Sequence, residues 1–141
     1  MYDRGWSDGL PLVPPTRERV LRMLEGTSRS GDEVVALMPP NLVDCTVEKV
    51  AVNSVMAGCL PEYMPVVAAA VEAVTADEFN LHAITVSTMG AAILLVVNGP
   101  IAQTLEINSG VSAFGPGHRA NATIGRAIRR PRPIGSPVTS Q

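Results

Sequence analysis

The sequence predicts one small α+β domain in which a helical hairpin packs on a short mixed sheet. Three observations predict this fold class. The 141 residues have the length of one ordinary domain. Hydrophobic residues make up 46% and charged residues 17%, which is enough apolar material for a core and argues against wholesale disorder. Apolar residues recur at helical spacing in some segments, whereas other segments are short β-branched runs.

The first 15 residues are rich in Gly and Pro and predict an extended N-terminal arm. Its Trp6 and Leu10 need a surface to bury against, which a neighbouring subunit can offer. Asp8 is usually a turn residue in such a setting, with the alternative that it completes the site of another chain. We expect the domain itself to span residues 16–130 and residues 131–141 to form a flexible tail.

The first half of the domain contains the hairpin. Thr16 suits the cap of a first helix at 17–24, and a strand is predicted at 33–38. Thr46 can cap a second helix that runs to about Gly58. A third helix begins at Pro61 and closes a tight turn with the second.

The second half leads to a Gly-rich loop. Residues 81–89 and 93–97 predict two strands, and the continuous apolar run of the latter is typical of a strand buried on both faces. A short helix is predicted at 100–105 and a loop at 108–117. A last helix should run from about 118 or 119 to Arg129, before the prolines of the tail.

The charge is uneven along the chain. Residues 1–106 hold 13 acidic and 6 basic residues, whereas residues 107–141 hold 5 arginines and no acid. This asymmetry favours an anionic ligand or an acidic neighbour of the tail. The chain shows no nucleic-acid-binding motif. No apolar run is long enough to span a bilayer, and no apolar stretch follows the N-terminal Met1, so we expect a cytoplasmic protein without a membrane partner.

The strongest functional signal is the Gly/Asn-rich segment at 98–123, which follows the apolar run at 93–97. Glycines let a backbone approach a ligand, and free amides at a helix start attract anions. Arg119 can add a bidentate, charge-assisted contact. The alternative is that the glycines only shape a turn and Asn121 only caps a helix. The residues predicted to bind the ligand are Asn98, Gly99, Asn108, Ser109, Gly117, Arg119, Asn121 and Thr123.

Two side chains are candidates for chemistry. Cys59 precedes the Pro61 helix start, whose dipole can lower a thiol pKa, although Glu62 opposes that shift. The alternative for Cys59 is packing in the core. His118 lies in the Gly-rich loop and is the better acid–base candidate of the two histidines. The Cys and His spacing predicts no metal site, and no cofactor is indicated.

Five blocks of sequence resemble bacterial proteins associated with the UGSC (seleno)protein family. The resemblance implies thiol or selenol chemistry and points to Cys59, Glu62, Asn98, His118, Arg119 and Asn121 as site residues. The chain lacks the Cys-Gly-Ser-Cys motif for which that family is named, so the resemblance implies at most a subunit working with a thiol-bearing partner. The blocks are GWSDGLP at 5–11, EKVAVN at 48–53, VMAGCLPEY at 55–63, VNGP at 97–100 and GHRANATIGRA at 117–127.

Two functional hypotheses follow. In the first, the chain is an enzyme or a catalytic subunit that binds a small anionic or amide-bearing metabolite, with lyase, hydrolase and thiol chemistry all open. Here Cys59, His118 and Glu62 are the catalytic candidates. In the second, it is a non-catalytic member of a homo- or hetero-oligomer, in which the hairpin and the arm form the interface and the Gly-rich loop completes a site on another chain.

Overall fold

The computed structural model describes residues 7, 9–39, 41–86, 88 and 90–129. In this part of the chain, six α-helices and a two-stranded antiparallel sheet form one small α+β domain, as predicted. The predictions for Trp6, Asp8 and the tail at 131–141 lie outside the described residues.

Helix α1 (Arg17–Leu24) buries Val20 and Met23 against the rest of the domain. It ends at Leu24, as predicted. Gly26, two residues later, lies against the backbone of the 3-10 turn Pro61–Tyr63. A Cβ placed on Gly26 would lie 1.9 Å from the carbonyl oxygen of Pro61. Only glycine therefore fits between the end of α1 and that segment.

The sheet is a single antiparallel pair. Strand β1 (Val34–Met38) was predicted, whereas its partner β2 (Val43–Thr46) was not. The pairing runs from Val34 opposite Thr46 to Met38 opposite Val43, with an irregularity between Val34 and Ala36. The sheet expected to be mixed is therefore purely antiparallel among the described residues.

Helices α2 (Val47–Ala57) and α3 (Met64–Thr75) form the predicted hairpin, joined through the 3-10 turn Pro61–Tyr63. The hydroxyl of Thr46 accepts a hydrogen bond from the amide of Lys49 and so caps α2. Gly58 ends α2 with a φ of 89°, and the amide of Cys59 donates to the carbonyl of Ser54 at 2.9 Å. This is a glycine-dependent helix ending of the Schellman type.

The apolar surfaces of the hairpin are buried inside the domain. Val47, Val67 and Met64 are almost fully covered, and α6 (Arg119–Arg129) packs on both α2 and α3. Ser54 is buried with them, and its hydroxyl donates to the carbonyl of Val50. Most apolar side chains of the hairpin are therefore already used in the core. The hypothesis that the hairpin forms an oligomer interface stays a prediction.

Two predicted strands are not strands. Helix α4 (Leu81–Val86) replaces the first, because the amide of Ile84 donates to the carbonyl of Asn80 and the segment satisfies its own backbone without a neighbouring strand. Residues 91–97 form neither helix nor strand. Their exposure alternates, so this run is covered on one face and not on both as expected.

The last two helices follow the prediction closely. Helix α5 (Pro100–Thr104) is short, with Pro100 in its first turn. Helix α6 begins at Arg119 and buries one face, formed by Ala120, Ile124, Ala127 and Ile128. This face positions the start of α6 against the end of α2, where the predicted site residues meet.

Candidate functional site

The described part of the N-terminal arm lies on its own domain, at the end of α2. The amide of Val13 donates to the carbonyl of Met56 at 3.2 Å, and Nη1 of Arg126 in α6 donates to the carbonyl of Pro11 at 2.7 Å. Leu10 remains exposed. The arm thus fixes α6 relative to α2, at least from Pro11 to Val13, and does not leave the domain there.

Arg119 connects the start of α6 to the bend of the hairpin. Its Nε and Nη2 both donate to the carbonyl oxygen of Gly58, at 3.1 and 3.0 Å. That carbonyl lies at the C-terminal end of α2, where the helix dipole is negative, so a guanidinium is well suited to it. The third nitrogen, Nη1, makes no hydrogen bond within the described part of the chain.

The thiol of Cys59 is buried beside this contact. Burial raises the pKa of Cys59 from an ordinary value near 9 to about 11, while Thr123, Arg119 and Ser54 act in the opposite direction. The Thr123 hydroxyl donates to the Arg119 carbonyl and the Ser54 hydroxyl to the Val50 carbonyl. Because both hydroxyl protons are directed at backbone oxygens, they stabilise a thiolate poorly, and desolvation dominates. The thiol is therefore protonated at neutral pH.

Tyr63 is a member of this cluster that was not among the predicted site residues. Its ring is buried, and burial raises the pKa of its phenol, whereas the charge of Arg119 lowers it. Negative charge on Cys59 or Glu62 also raises the pKa of the phenol. The only sequence signal was its position four residues after Cys59, across the predicted turn.

The Gly-rich loop is held together by two asparagines. Nδ2 of Asn121 donates to the carbonyls of Asn108 and Ala113, and its Oδ1 accepts from the amide of Asn108 at 2.9 Å. Nδ2 of Asn108 donates to the carbonyl of Val111, and its Oδ1 accepts from the amide of Gly110. Both side chains, predicted as ligand contacts, thus organise the loop in this structure.

The start of α6 keeps open backbone donors. Gly117 has a φ of 114°, and the carbonyl of His118 accepts the first helical hydrogen bond, from the amide of Ala122. The amides of Arg119, Ala120 and Asn121 donate to no acceptor among the described residues. A helix of this length with open N-terminal amides offers an anion both donors and a favourable dipole.

The other predicted residues are spread around this centre. Asn98 and Gly99 are exposed before α5, with a φ of 95° at Gly99. Ser109 is exposed in the loop, Glu62 is exposed in the 3-10 turn, and His118 is half-buried. The structure therefore brings together Cys59, Arg119 and Thr123, and no hydrogen bond joins Asn98, Gly99 or Ser109 to them.

No family model, no curated protein and no solved structure matches this chain. The resemblance to UGSC-associated proteins stays a prediction. In the described ranges, no three His, Cys, Asp or Glu side chains lie together in a way that could hold a metal ion. Nor does any helix in those ranges combine the length and apolar character needed to cross a membrane.

Proposed function

We propose that this chain binds a small anionic metabolite at the start of α6, as an enzyme or as a subunit of a catalytic complex. The observation that carries the proposal is that three successive amides, those of Arg119, Ala120 and Asn121, have no acceptor among the described residues. Such donors lose free energy unless water or a ligand satisfies them. A phosphate or carboxylate accepts from several of them at once.

The local charge supports the same ligand class. Residues 107–129 carry Arg119, Arg126 and Arg129 and no acidic residue. Nη1 of Arg119 is available for a charge-assisted bond while Nε and Nη2 stay on the Gly58 carbonyl. The two hydrogen bonds to Gly58 fix the plane of the guanidinium before the ligand arrives, which reduces the entropy lost on binding.

The chemistry beside this ligand starts from a protonated thiol. The raised pKa of Cys59 means that it can donate a proton in the state described here, and that it becomes a nucleophile only after losing one. His118, which precedes the first residue of α6, is the candidate base nearest in sequence to the open amides. Glu62 is the exposed carboxylate on the other side of the hairpin bend.

Thermal unfolding in the presence of inorganic phosphate or acetate tests the proposal. A ligand that binds only the folded state raises the melting temperature by mass action. We expect this rise in the natural chain and in Arg129→Ala, which removes the same charge at the far end of α6. We expect it to be lost in Arg119→Ala. If phosphate or acetate raised the melting temperatures of Arg119→Ala and Arg129→Ala equally, the effect would be unspecific charge screening, and the site at the start of α6 would be excluded.

A second candidate is a non-catalytic subunit that completes the site of a thiol-bearing partner. The observation favouring it is that Cys59 and Cys45 are both buried, with thiol pKa values raised by burial. Alkylation of the native chain with iodoacetamide separates the two functions. If anion binding makes Cys59 react faster, the chain carries its own nucleophile; if anion binding leaves the rate unchanged, the thiol comes from elsewhere.

A further inference from the structure

Asn98 and Gly99 form the one Asn-Gly pair of the sequence. The other asparagines precede Leu, Ser or Ala, whose side chains crowd the backbone nitrogen that follows the asparagine. Glycine has no Cβ, so the nitrogen of Gly99 is the least hindered of these nitrogens. Asparagine is a thermolabile residue, and its cyclisation requires attack of the following nitrogen on its own side chain. The sequence therefore favours a spontaneous covalent change at Asn98.

The structure leaves both reacting groups of this pair open. Asn98 and Gly99 are exposed, and Asn98 lies outside the helices and strands. Within the described ranges, the side chain of Asn98 makes no hydrogen bond and the amide of Gly99 donates to no acceptor. The pair can therefore reach the geometry of attack without the unfolding of any part of the domain.

The two asparagines that precede a serine are held by the fold. Asn53 lies inside α2, where the amide of Ser54 belongs to the helical hydrogen-bond ladder. Nδ2 of Asn108 donates to the carbonyl of Val111, and its Oδ1 accepts from the amide of Gly110. Cyclisation at either position must first break these hydrogen bonds, so the fold protects both asparagines.

We propose that Asn98 is a site of spontaneous deamidation, with water as the co-reactant. Solvent base removes the proton of the Gly99 amide, and the nitrogen attacks Cγ of Asn98. The new C–N bond closes a cyclic imide, while the Cγ–Nδ2 bond breaks and ammonia leaves. Water then opens the imide at either of its carbonyls and gives aspartate or isoaspartate at position 98. No electrons are gained or lost in these steps.

The modification changes both charge and backbone at the start of α5. Between Glu78 and Glu106 the sequence has no Asp, Glu, Lys or Arg, so the new carboxylate introduces a negative charge into a neutral stretch. The isoaspartate product also adds a carbon to the main chain directly before Gly99, the N-cap residue of α5. The proposal does not depend on the anion site at α6.

Incubation of the natural chain at mildly alkaline pH tests the proposal, with each asparagine followed by peptide mass spectrometry. Deamidation replaces an amide group by a heavier carboxyl group, and isoaspartyl methyltransferase labels the isoaspartate. The same measurement in urea gives the rate at each position without the fold. We expect the native and unfolded rates at Asn98 to agree within about threefold, whereas Asn53 and Asn108 should react more than about tenfold more slowly in the native chain.

Two variants separate the chemistry from the protection by the fold. Gly99→Ala crowds the attacking nitrogen and should slow deamidation at Asn98 in urea, where the native backbone conformation has no influence. Asn121→Ala removes hydrogen bonds to the backbone of Asn108 and should raise the native rate there, with no change at Asn98. Protection of Asn98 as strong as that of Asn53 in the native chain would overturn the proposal. An unaltered rate in Gly99→Ala would also overturn it.

Discussion

The guanidinium of Arg119 donates two hydrogen bonds to the carbonyl oxygen of Gly58, 61 residues away in the sequence. This contact joins the first residue of α6 to the last turn of α2, and Cys59 lies next to it. Arg119 therefore has a structural role as well as the proposed ligand-binding role. Any substitution at this position must be analysed for both.

Replacing Arg119 with Lys should destabilise the domain. Lysine keeps the charge but cannot place two donors of a rigid plane on one carbonyl. We expect a loss of about 1 kcal/mol in the free energy of unfolding, the scale of an ordinary hydrogen bond, measured in urea. Arg129→Lys is the matched control and should change stability by less than about 0.5 kcal/mol. Equal stabilities of the two variants would show that the Gly58 contact contributes nothing.

Replacing Gly58 with Ala should also destabilise the domain. The φ of 89° lies in the left-handed region, which costs an L-residue roughly 1–2 kcal/mol. A Cβ there would meet Thr123 at 3.6 Å and Val13 at 3.9 Å, so the cost comes from the backbone and not from a clash. Gly125→Ala is the control, since it lies in α6 with open space around it, and it should stabilise by about 0.5–1 kcal/mol.

Replacing Asn121 with Ala should release the Gly-rich loop. The substitution removes the three hydrogen bonds that tie Asn108 and Ala113 to α6. We expect amide exchange at residues 108–113 to become much faster, because the loop has few other contacts that hold it. Asn98→Ala, at an exposed position, is the control and should leave exchange unchanged. Unchanged exchange in Asn121→Ala would mean that the loop is held by other contacts.

The thiol of Cys59 should lose its proton only at high pH. Its pKa of about 11 in the folded state lies above its ordinary value near 9, so the thiolate is favoured by unfolding. The stability associated with the neutral thiol is therefore full below pH 9 and is lost as the pH rises towards 11. Alkylation of the native chain should be slow at pH 8 and rise to a midpoint near pH 11. A midpoint near 9, as in the denatured chain, would contradict burial of the thiol.

The sequence predicted the helices well because their signals are local. Thr46, Gly58 and Pro61 mark ends that depend only on neighbouring residues. The strands were harder, because pairing depends on distant partners. The β-branched residues at 81–89 suit a strand in isolation, yet no strand lies beside them among the described residues and a short helix forms instead.

The site was predicted in part for the same reason. The open amides at the start of α6 follow from the local pattern around Gly117. The pairing of Arg119 with Gly58 and the burial of Cys59 beside Tyr63 are products of the tertiary fold. Asn121 was predicted to bind the ligand, and in this structure its hydrogen bonds organise the loop, which depends on residues 8 to 13 positions away.

The most direct test of the proposed anion site is the response of individual backbone amides to inorganic phosphate, followed by ¹⁵N-resolved nuclear magnetic resonance. The proposal predicts the largest, saturable shifts at Arg119, Ala120 and Asn121, with much weaker binding in Arg119→Ala and unaltered binding in Arg129→Ala. If the resonances of these three amides do not shift, or if the shifts are spread over the amides of all exposed arginines, α6 does not begin at an anion site.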